Sequence, residues 1–373
     1  MLKSLIIENF RGFKTFELQD LGRVNLLVGT NNSGKTSILE ALHILCSRTD
    51  MNSIQQLMAY RGEYWWTETD GSKSDREYDI RHLFHRQDIE PGSKFSILGV
   101  HSNHQEKLVA SIHSREQSEQ VNMDDDRDLG ELNLVVNWTG QKVEEDIKLP
   151  LSPGAGISAN YIQRRRQIAR ESVTQFLTPF SLEVGDIIAM FDRVVLTPKE
   201  AIAIQALQAI EPTIERIASV SIDKSRYSTR QWRERGGFLV RCSDRNQPIP
   251  IGSMGDGVWR MLGLVLAILC TQGGVLLVDE IDSGLHFTTM SDMWRVIWEI
   301  ATKLDVQVFA TTHNSDCCTS LASITGNENV DCAARTRDRH GITIQRIEPG
   351  KTTAVVFNER EIAIAAERGI EVR

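Results

Sequence analysis

Apolar positions along this chain change period several times, and each change marks an element. Leu5-Ile6-Ile7 leads into Glu8-Asn9-Phe10-Arg11-Gly12-Phe13, which predicts two short strands turning at Arg11-Gly12. Residues 24–28 form an apolar run interrupted by Asn25, in which Leu26-Leu27-Val28 reads as a buried strand. Just beyond a glycine-bounded loop, Ile38, Leu39, Leu42 and Leu45 recur at helical spacing. Residues 47–90 read as polar and irregular, apart from the aromatic group Tyr64-Trp65-Trp66 and a short amphipathic stretch over 80–84. Four alternating segments between 94 and 149 predict a small antiparallel sheet, which ends at the break Pro153-Gly154-Ala155-Gly156. Thr197-Pro198-Lys199-Glu200 has the form of a helix start. Ile204, Leu207, Ile210, Ile214 and Ile217 extend the helical spacing over 201–217. An apolar helix over 258–269 and strands at 274–278 and 306–311 complete an α/β pattern.

Composition narrows the class only loosely. The chain has 373 residues, enough for two or three lobes; 41% are hydrophobic and 25% charged, ordinary values for a globular protein. A net charge of −8 argues against coating nucleic acid by bulk charge, although a local basic patch such as Gln163-Arg164-Arg165-Arg166-Gln167 is compatible with nucleic-acid contact or with a solvated helix face. No signal peptide or 18-residue apolar span is present, so the expected location is cytoplasmic, without a membrane partner. The six cysteines form no CxxC pair, which disfavours both a zinc site and a disulfide framework; Cys46 and Cys270 fall in apolar runs and are expected in the core. The acidic loop Asp124-Asp125-Asp126-Arg127-Asp128 reads as solvated in preference to metal-binding.

Candidate chemistry sits at both ends of the chain. Gly29-Thr30-Asn31-Asn32-Ser33-Gly34-Lys35-Thr36 fits G-x-x-x-x-G-K-[ST] and lies between an apolar strand and a helix, the setting of a phosphate-binding loop. Its glycines let backbone N–H groups curl round phosphate oxygens, and the helix after the loop turns its positive end toward them. Asn31, Asn32, Ser33, Gly34, Lys35, Thr36 and Ser37 are therefore candidate ATP contacts, with Lys35 on the β/γ-phosphates and Thr36 on Mg²⁺. Arg11 is either a surface turn residue or a further nucleotide contact. Residues 274–278 end in Asp279-Glu280, where Asp279 suits a Mg²⁺ ligand and Glu280 a base polarising the attacking water. His313, at the end of the next apolar strand, is a candidate γ-phosphate sensor. Ser253, Gly255 and Gly257 precede the apolar helix and form a second phosphate-facing N-terminus. The first loop already wraps one nucleotide, so this second end suits a nucleotide held by another subunit. His286, just past the acids, is read equally well as structural or functional.

Together, Asn9-Phe10-Arg11-Gly12-Phe13, the phosphate loop, Ser253-Met254-Gly255-Asp256-Gly257, Asp279-Glu280-Ile281-Asp282-Ser283-Gly284-Leu285-His286 and Thr311-Thr312-His313 resemble the ABC-type ATPases of the OLD/RecF/SMC group. Within that group the chain is most similar to compact AAA-type ATP-binding proteins of bacterial anti-phage defence, such as OLD-like nucleases and the ATPase subunit of PARIS systems. The resemblance implies an ABC-type P-loop ATPase head with an N-terminal antiparallel β-element and an inserted β-rich and helical lobe. On this reading residues 1–90 and 191–373 form the head and 91–190 the insertion. It also implies a homodimer around two ATP molecules with Mg²⁺, or a larger ring. The signature departs from L-S-G-G-Q by lacking the glutamine, which implies slow or partner-dependent hydrolysis. The stretch after Asp316 is too short for a TOPRIM domain, so no nuclease activity is expected of this chain; such an effector would be separately encoded. The expected role is that of sensor or scaffold for the effector, and the alternative is a RecF/SMC-like DNA-repair or DNA-processing ATPase.

Overall fold

The computed structural model describes residues 1–67, 75–87, 89–115, 130–164, 174–179, 184–220, 237–325 and 341–372. Along the chain the strands are β1 (Leu2–Phe10), β2 (Phe13–Leu18), β3 (Val24–Val28), β4 (Tyr64–Thr67), β5 (Asp75–Asp79), β6 (Lys94–His101), β7 (Gln105–Ser114), β8 (Leu132–Gly140), β9 (Val143–Pro150), β10 (Gly156–Ser158), β11 (Thr174–Leu177), β12 (Ile214–Ser219), β13 (Phe238–Cys242), β14 (Ile249–Pro250), β15 (Val275–Val278), β16 (Gln307–Thr311), β17 (Ile342–Arg346) and β18 (Val355–Asn358). The helices are α1 (Lys35–Ser47), α2 (Met51–Arg61), α3 (Ala159–Arg164), α4 (Val184–Val194), α5 (Pro198–Gln208), α6 (Asp256–Leu269), α7 (Phe287–Lys303), α8 (Ser315–Thr325) and α9 (Glu359–Glu367). They divide between two compact units.

The first unit comprises Met1–Asp20, Asn32–Ser172 and Ile347–Ala354. Its main sheet has the order β2-β1-β6-β7-β8-β9 and is antiparallel throughout. The segments between 94 and 149 are strands as expected, but their sheet is not separate, because β6 pairs with β1 and joins the N-terminal hairpin. Helix α1 packs on β6 and β7, burying Ile38, Leu39, Leu42 and Leu45. A second sheet, β10-β5-β4, carries the aromatic residues of 64–66.

The second unit comprises Leu21–Asn31, Val173–Arg346 and Val355–Arg373. Its sheet has the order β11-β15-β16-β3-β17-β18, parallel except for the β17/β18 pair. Every residue of β3 and β16 is buried, as expected of parallel strands covered on both faces. Helix α6 is buried from Val258 through Leu269 and anchors the core with Trp294 of α7 and Val265 of its own apolar face. Each such aliphatic side chain removed from water stabilises the unit by about 2 kcal/mol.

Three expectations require correction. Residues 47–90 are not irregular, because they contain α2, capped by Asp50 accepting from the Asn52 N–H and followed by Gly62. Those two residues were the legible signals, hidden by a polar outer face that dilutes Ile54, Leu57 and Met58. The helix over 201–217 ends at Gln208, since Pro212 disfavours helix at Glu211 and has no N–H to donate; Ile214 and Ile217 then point inward from β12. Cys46 and Cys270 are only half-buried. The acidic run 124–128, Arg165, Arg166 and Gln167 of the basic run, and Cys332 lie outside the described residues. Among the described residues no helix is long and apolar enough to cross a membrane.

Candidate functional site

The second unit gathers candidate groups at the carboxyl ends of adjacent parallel strands, where α/β sheets present ligand-binding crevices. Strand β3 lies beside β16, with Leu27 opposite Thr311, and β15 lies on the other side of β16. Consequently Gly29, Thr30 and Asn31, then Thr312 and His313, then Asp279 and Glu280, all leave the same edge of one sheet. Thr30, Asn31, Glu280 and His313 are exposed there, whereas Asp279 is 7% exposed.

A hydroxyl at the end of β16 fixes the two acids. Thr311 Oγ1 donates to Asp279 Oδ1 at 2.6 Å and accepts the Glu280 N–H at 2.8 Å. Glu280 has a left-handed backbone with φ of 49°, a conformation that costs a non-glycine residue about 1–2 kcal/mol. Arg260 offsets that cost from the other side, its Nη2 donating to the Glu280 carbonyl at 2.9 Å and the Asp279 carbonyl at 3.2 Å, and Nη1 to that of Thr178 at 3.3 Å. Burial pulls the Arg260 guanidinium below its ordinary value, opposed by the Asp282, Glu280 and Asp279 carboxylates. Thr312 Oγ1 holds Asp282 Oδ1 at 2.6 Å.

Arg260 belongs to α6, so the helix behind the glycine-rich loop also shapes the turn after β15. Ser253 and Gly255 are exposed at the start of that helix, and Gly255, with φ of 92°, is open enough that a Cβ would meet nothing within 4 Å. A Cβ on Gly257 would instead approach the Gly284 carbonyl at 3.6 Å and the Leu285 side chain at 3.7 Å, which places Gly284-Leu285 against this helix start. His286 is exposed, its Nδ1 2.9 Å from Thr288 Oγ1.

The phosphate loop passes from β3 in the second unit to α1 in the first. In the first unit Asn32 is exposed, Ser33 and Lys35 are buried, Thr36 and Ser37 are half-buried, and Lys35 Nζ lies 3.5 Å from Ser33 Oγ. Gly34 precedes α1 with φ of 97°, and a Cβ there would collide with the Phe13 ring, so only glycine fits. Within the first unit, the hydroxyls, the lysine and a helix N-terminus closed by a left-handed glycine suit a phosphate group.

Arg11 is no surface turn residue. It is 9% exposed, with Nη1 donating to Glu63 Oε1 at 2.6 Å and Nε 2.5 Å from Glu40 Oε2. The second contact lacks hydrogen-bond alignment and acts as a charge pair. Arg61 Nε donates to the other Glu40 oxygen at 2.5 Å. Burial pushes the Glu40 carboxyl up, and the Arg11 and Arg61 guanidiniums draw it back down. A cavity of about 490 Å³ opens beside this cluster, lined by Arg11, Ser37, Arg61, Glu63, His82 and Arg86 among others.

Sequence reasoning missed Glu40, Arg61, Arg260 and the role of Thr311. Glu40 and Arg260 were detectable as single charges inside otherwise apolar helical runs, where a charge survives burial only with partners. Thr311 carried no such mark, being one β-branched residue ending a strand.

The architecture and these strand-end groups define an ABC-type P-loop ATPase head. More particularly, residues 24–316 match the family described as "AAA domain, putative AbiEii toxin, Type IV TA system", and the chain belongs to that family. It is 22% identical over 341 residues to an "ATP/GTP phosphatase" of Helicobacter pylori, covering 85% of this chain and 86% of that one. A 44-residue stretch is 52% identical to the DNA replication and repair protein RecF of Clostridioides difficile, 12% of each chain. Among solved structures, the SMC head domain from Thermotoga maritima shows 13% identity and a TM-score of 0.43, covering 96% of this chain and 98% of that one. An Smc head with an extended coiled coil derived from Pyrococcus furiosus, bound to the C-terminal domain of ScpA, shows 10% identity and a TM-score of 0.47, covering 98% of both chains.

Proposed function

We propose that this ATPase dimerises around Mg²⁺-ATP and serves as a sensor or scaffold for a separately encoded effector, a nuclease by our reading, in anti-phage defence. The observation carrying the ATPase chemistry is the Thr311 bridge, which presents Asp279 as a metal ligand and holds exposed Glu280 as base at the strand ends beside the phosphate loop. Lys35, Thr36 and Ser37 contact the phosphates and metal, Arg11 supports the nucleotide from the turn between β1 and β2, and His313 reads the γ-phosphate. Exposed Ser253 and Gly255 serve the nucleotide of the second copy. The family description, which refers to a toxin of a type IV TA system, supports a defence role. The short RecF likeness supports the alternative, a DNA-repair or DNA-processing ATPase.

A mixing experiment tests the composite site. Lys35→Ala and Ser253→Arg chains, each inactive alone, regain turnover when combined, because one intact site forms from the two halves. A mixture as inactive as its components refutes the shared site. For the cellular role, the chain is expressed with the reading frame encoded beside it and challenged with phage. Protection that disappears with Lys35→Ala supports the defence reading, while restored DNA-damage resistance without protection supports repair.

A further inference from the structure

We propose that the tip of the β6–β7 hairpin, remote in sequence from every nucleotide motif, is a binding site for a divalent transition metal of the zinc type. His101, His104 and Glu106 would be its ligands and water its fourth. Among the described residues these three form the one group of histidine, cysteine or carboxylate ligand atoms that lie within 4.8 Å of one another.

The geometry comes from the hairpin. His101 and His104 flank a two-residue turn, closed by the His101 N–H donating to the His104 carbonyl at 2.8 Å, so both side chains leave the same face of the sheet. Glu106, two residues further along β7, shares that face. Its directly opposite residues on β6 and β8 are Gly99 and Gly140. Glu106 Oε1 is 3.2 Å from His104 Nε2 and 3.7 Å from His101 Nε2. Ligands about 2.0–2.1 Å from a tetrahedral zinc ion stand about 3.3 Å apart, close to both separations. The three side chains are 18–19% exposed, enough to shield an ion while admitting one water.

His104 Nδ1 is 2.8 Å from Asn103 Oδ1, and its Nε2, the ring nitrogen facing the carboxylate, is 3.2 Å from Glu106 Oε1. Gln141 Nε2 lies 3.3 Å from Nδ1 and 3.2 Å from Nε2 of the same ring and is the group an ion would displace. The His101 and His104 rings are stacked, with centroids 4.1 Å apart and 10° between planes. A divalent ion satisfies all three groups at once, after rotation of the His101 ring out of the stack. Such an ion would pin the hairpin tip.

Cobalt(II) is the probe. Chelator-treated, nucleotide-free full-length protein titrated with Co²⁺ at neutral pH is expected to develop the visible bands of four-coordinate cobalt at one equivalent per chain, and Zn²⁺ should abolish them. His104→Gln and Glu106→Gln should each weaken binding by about 10- to 100-fold, the range for losing support of a metal site, or abolish it. The double variant His101→Gln/His104→Gln should show no bands. Asp279→Asn should retain them, which separates this site from the nucleotide site. Circular dichroism confirms that the variants are folded. Absence of bands in the wild type, or bands that persist in the double variant, overturns the proposal.

Discussion

Replacing Thr311 with valine keeps the shape and strand preference of the residue and deletes only its hydroxyl. That hydroxyl makes two contacts, a 2.6 Å bond to the Asp279 carboxylate and a 2.8 Å bond from the Glu280 N–H, at a position 1% exposed. A hydrogen bond to a charged group contributes about 1.5–3 kcal/mol and one to a neutral amide about 1 kcal/mol, so Thr311→Val should destabilise the unit by about 2.5–4 kcal/mol. The catalytic consequence is separable. Glu280 holds its left-handed backbone partly through that N–H bond, and a displacement of about 1 Å at a reacting group costs on the order of 100-fold in rate. We therefore expect kcat for ATP to fall by about 10- to 100-fold with KM nearly unchanged, since Lys35 and the loop amides are untouched. Thr311→Ser is the control, losing one buried methyl at about 1 kcal/mol while keeping the hydroxyl and the rate. Steady-state ATPase assays and urea unfolding on both variants decide the matter. If Thr311→Val is destabilised as expected yet turns over like the wild type, Thr311 is merely structural and the Glu280 assignment loses its support.

Other perturbations probe the remaining parts. Glu280→Gln should retain ATP but lose turnover by about 10²- to 10⁴-fold, the scale of a general base, and should accumulate a dimer visible by light scattering; turnover at the wild-type rate refutes its role. Lys35→Ala should weaken ATP binding on the order of 100-fold by calorimetry, the loss of a charge-assisted contact of about 3 kcal/mol. Glu40→Ala leaves the Arg11 and Arg61 guanidiniums without their shared carboxylate and should cost about 3–5 kcal/mol in denaturant unfolding. His43, buried in α1, has its imidazole lowered from 6.5 to about 4 by burial, opposed by Asp50. Because the folded value lies below the unfolded one, its contribution is present above pH 6.5 and is lost as pH falls toward 4. That loss is about 3 kcal/mol. Urea titrations across that range should show a flatter profile for His43→Gln than for the wild type.

The local sequence suffices where a backbone pattern dictates the chemistry. Gly29 and Gly34 bracket a loop between a largely apolar five-residue strand and an amphipathic helix, and the strand β3 and helix α1 form as that pattern predicts. Asp279-Glu280 and His313 were legible for the same reason, being polar residues at the ends of continuous apolar runs. What escaped were facts about neighbours far apart in the chain. Parallel pairing alone sets Thr311 beside Asp279, and α6 packing alone puts Arg260 beneath the Glu280 carbonyl. Arg11, Glu40, Arg61 and Glu63 likewise become a charge cluster only when the β1–β2 turn, α1 and the end of α2 converge. A lone charge in an apolar helix states that a partner must exist, because burying it uncompensated costs several kcal/mol, but not which residue the partner is. The sequence by itself determined that this chain carries a phosphate loop, two strand-end acids and a second glycine-rich helix start. The tertiary structure decided how the acids are held, since side-chain hydrogen bonds between strands depend on register and packing, which no local pattern encodes.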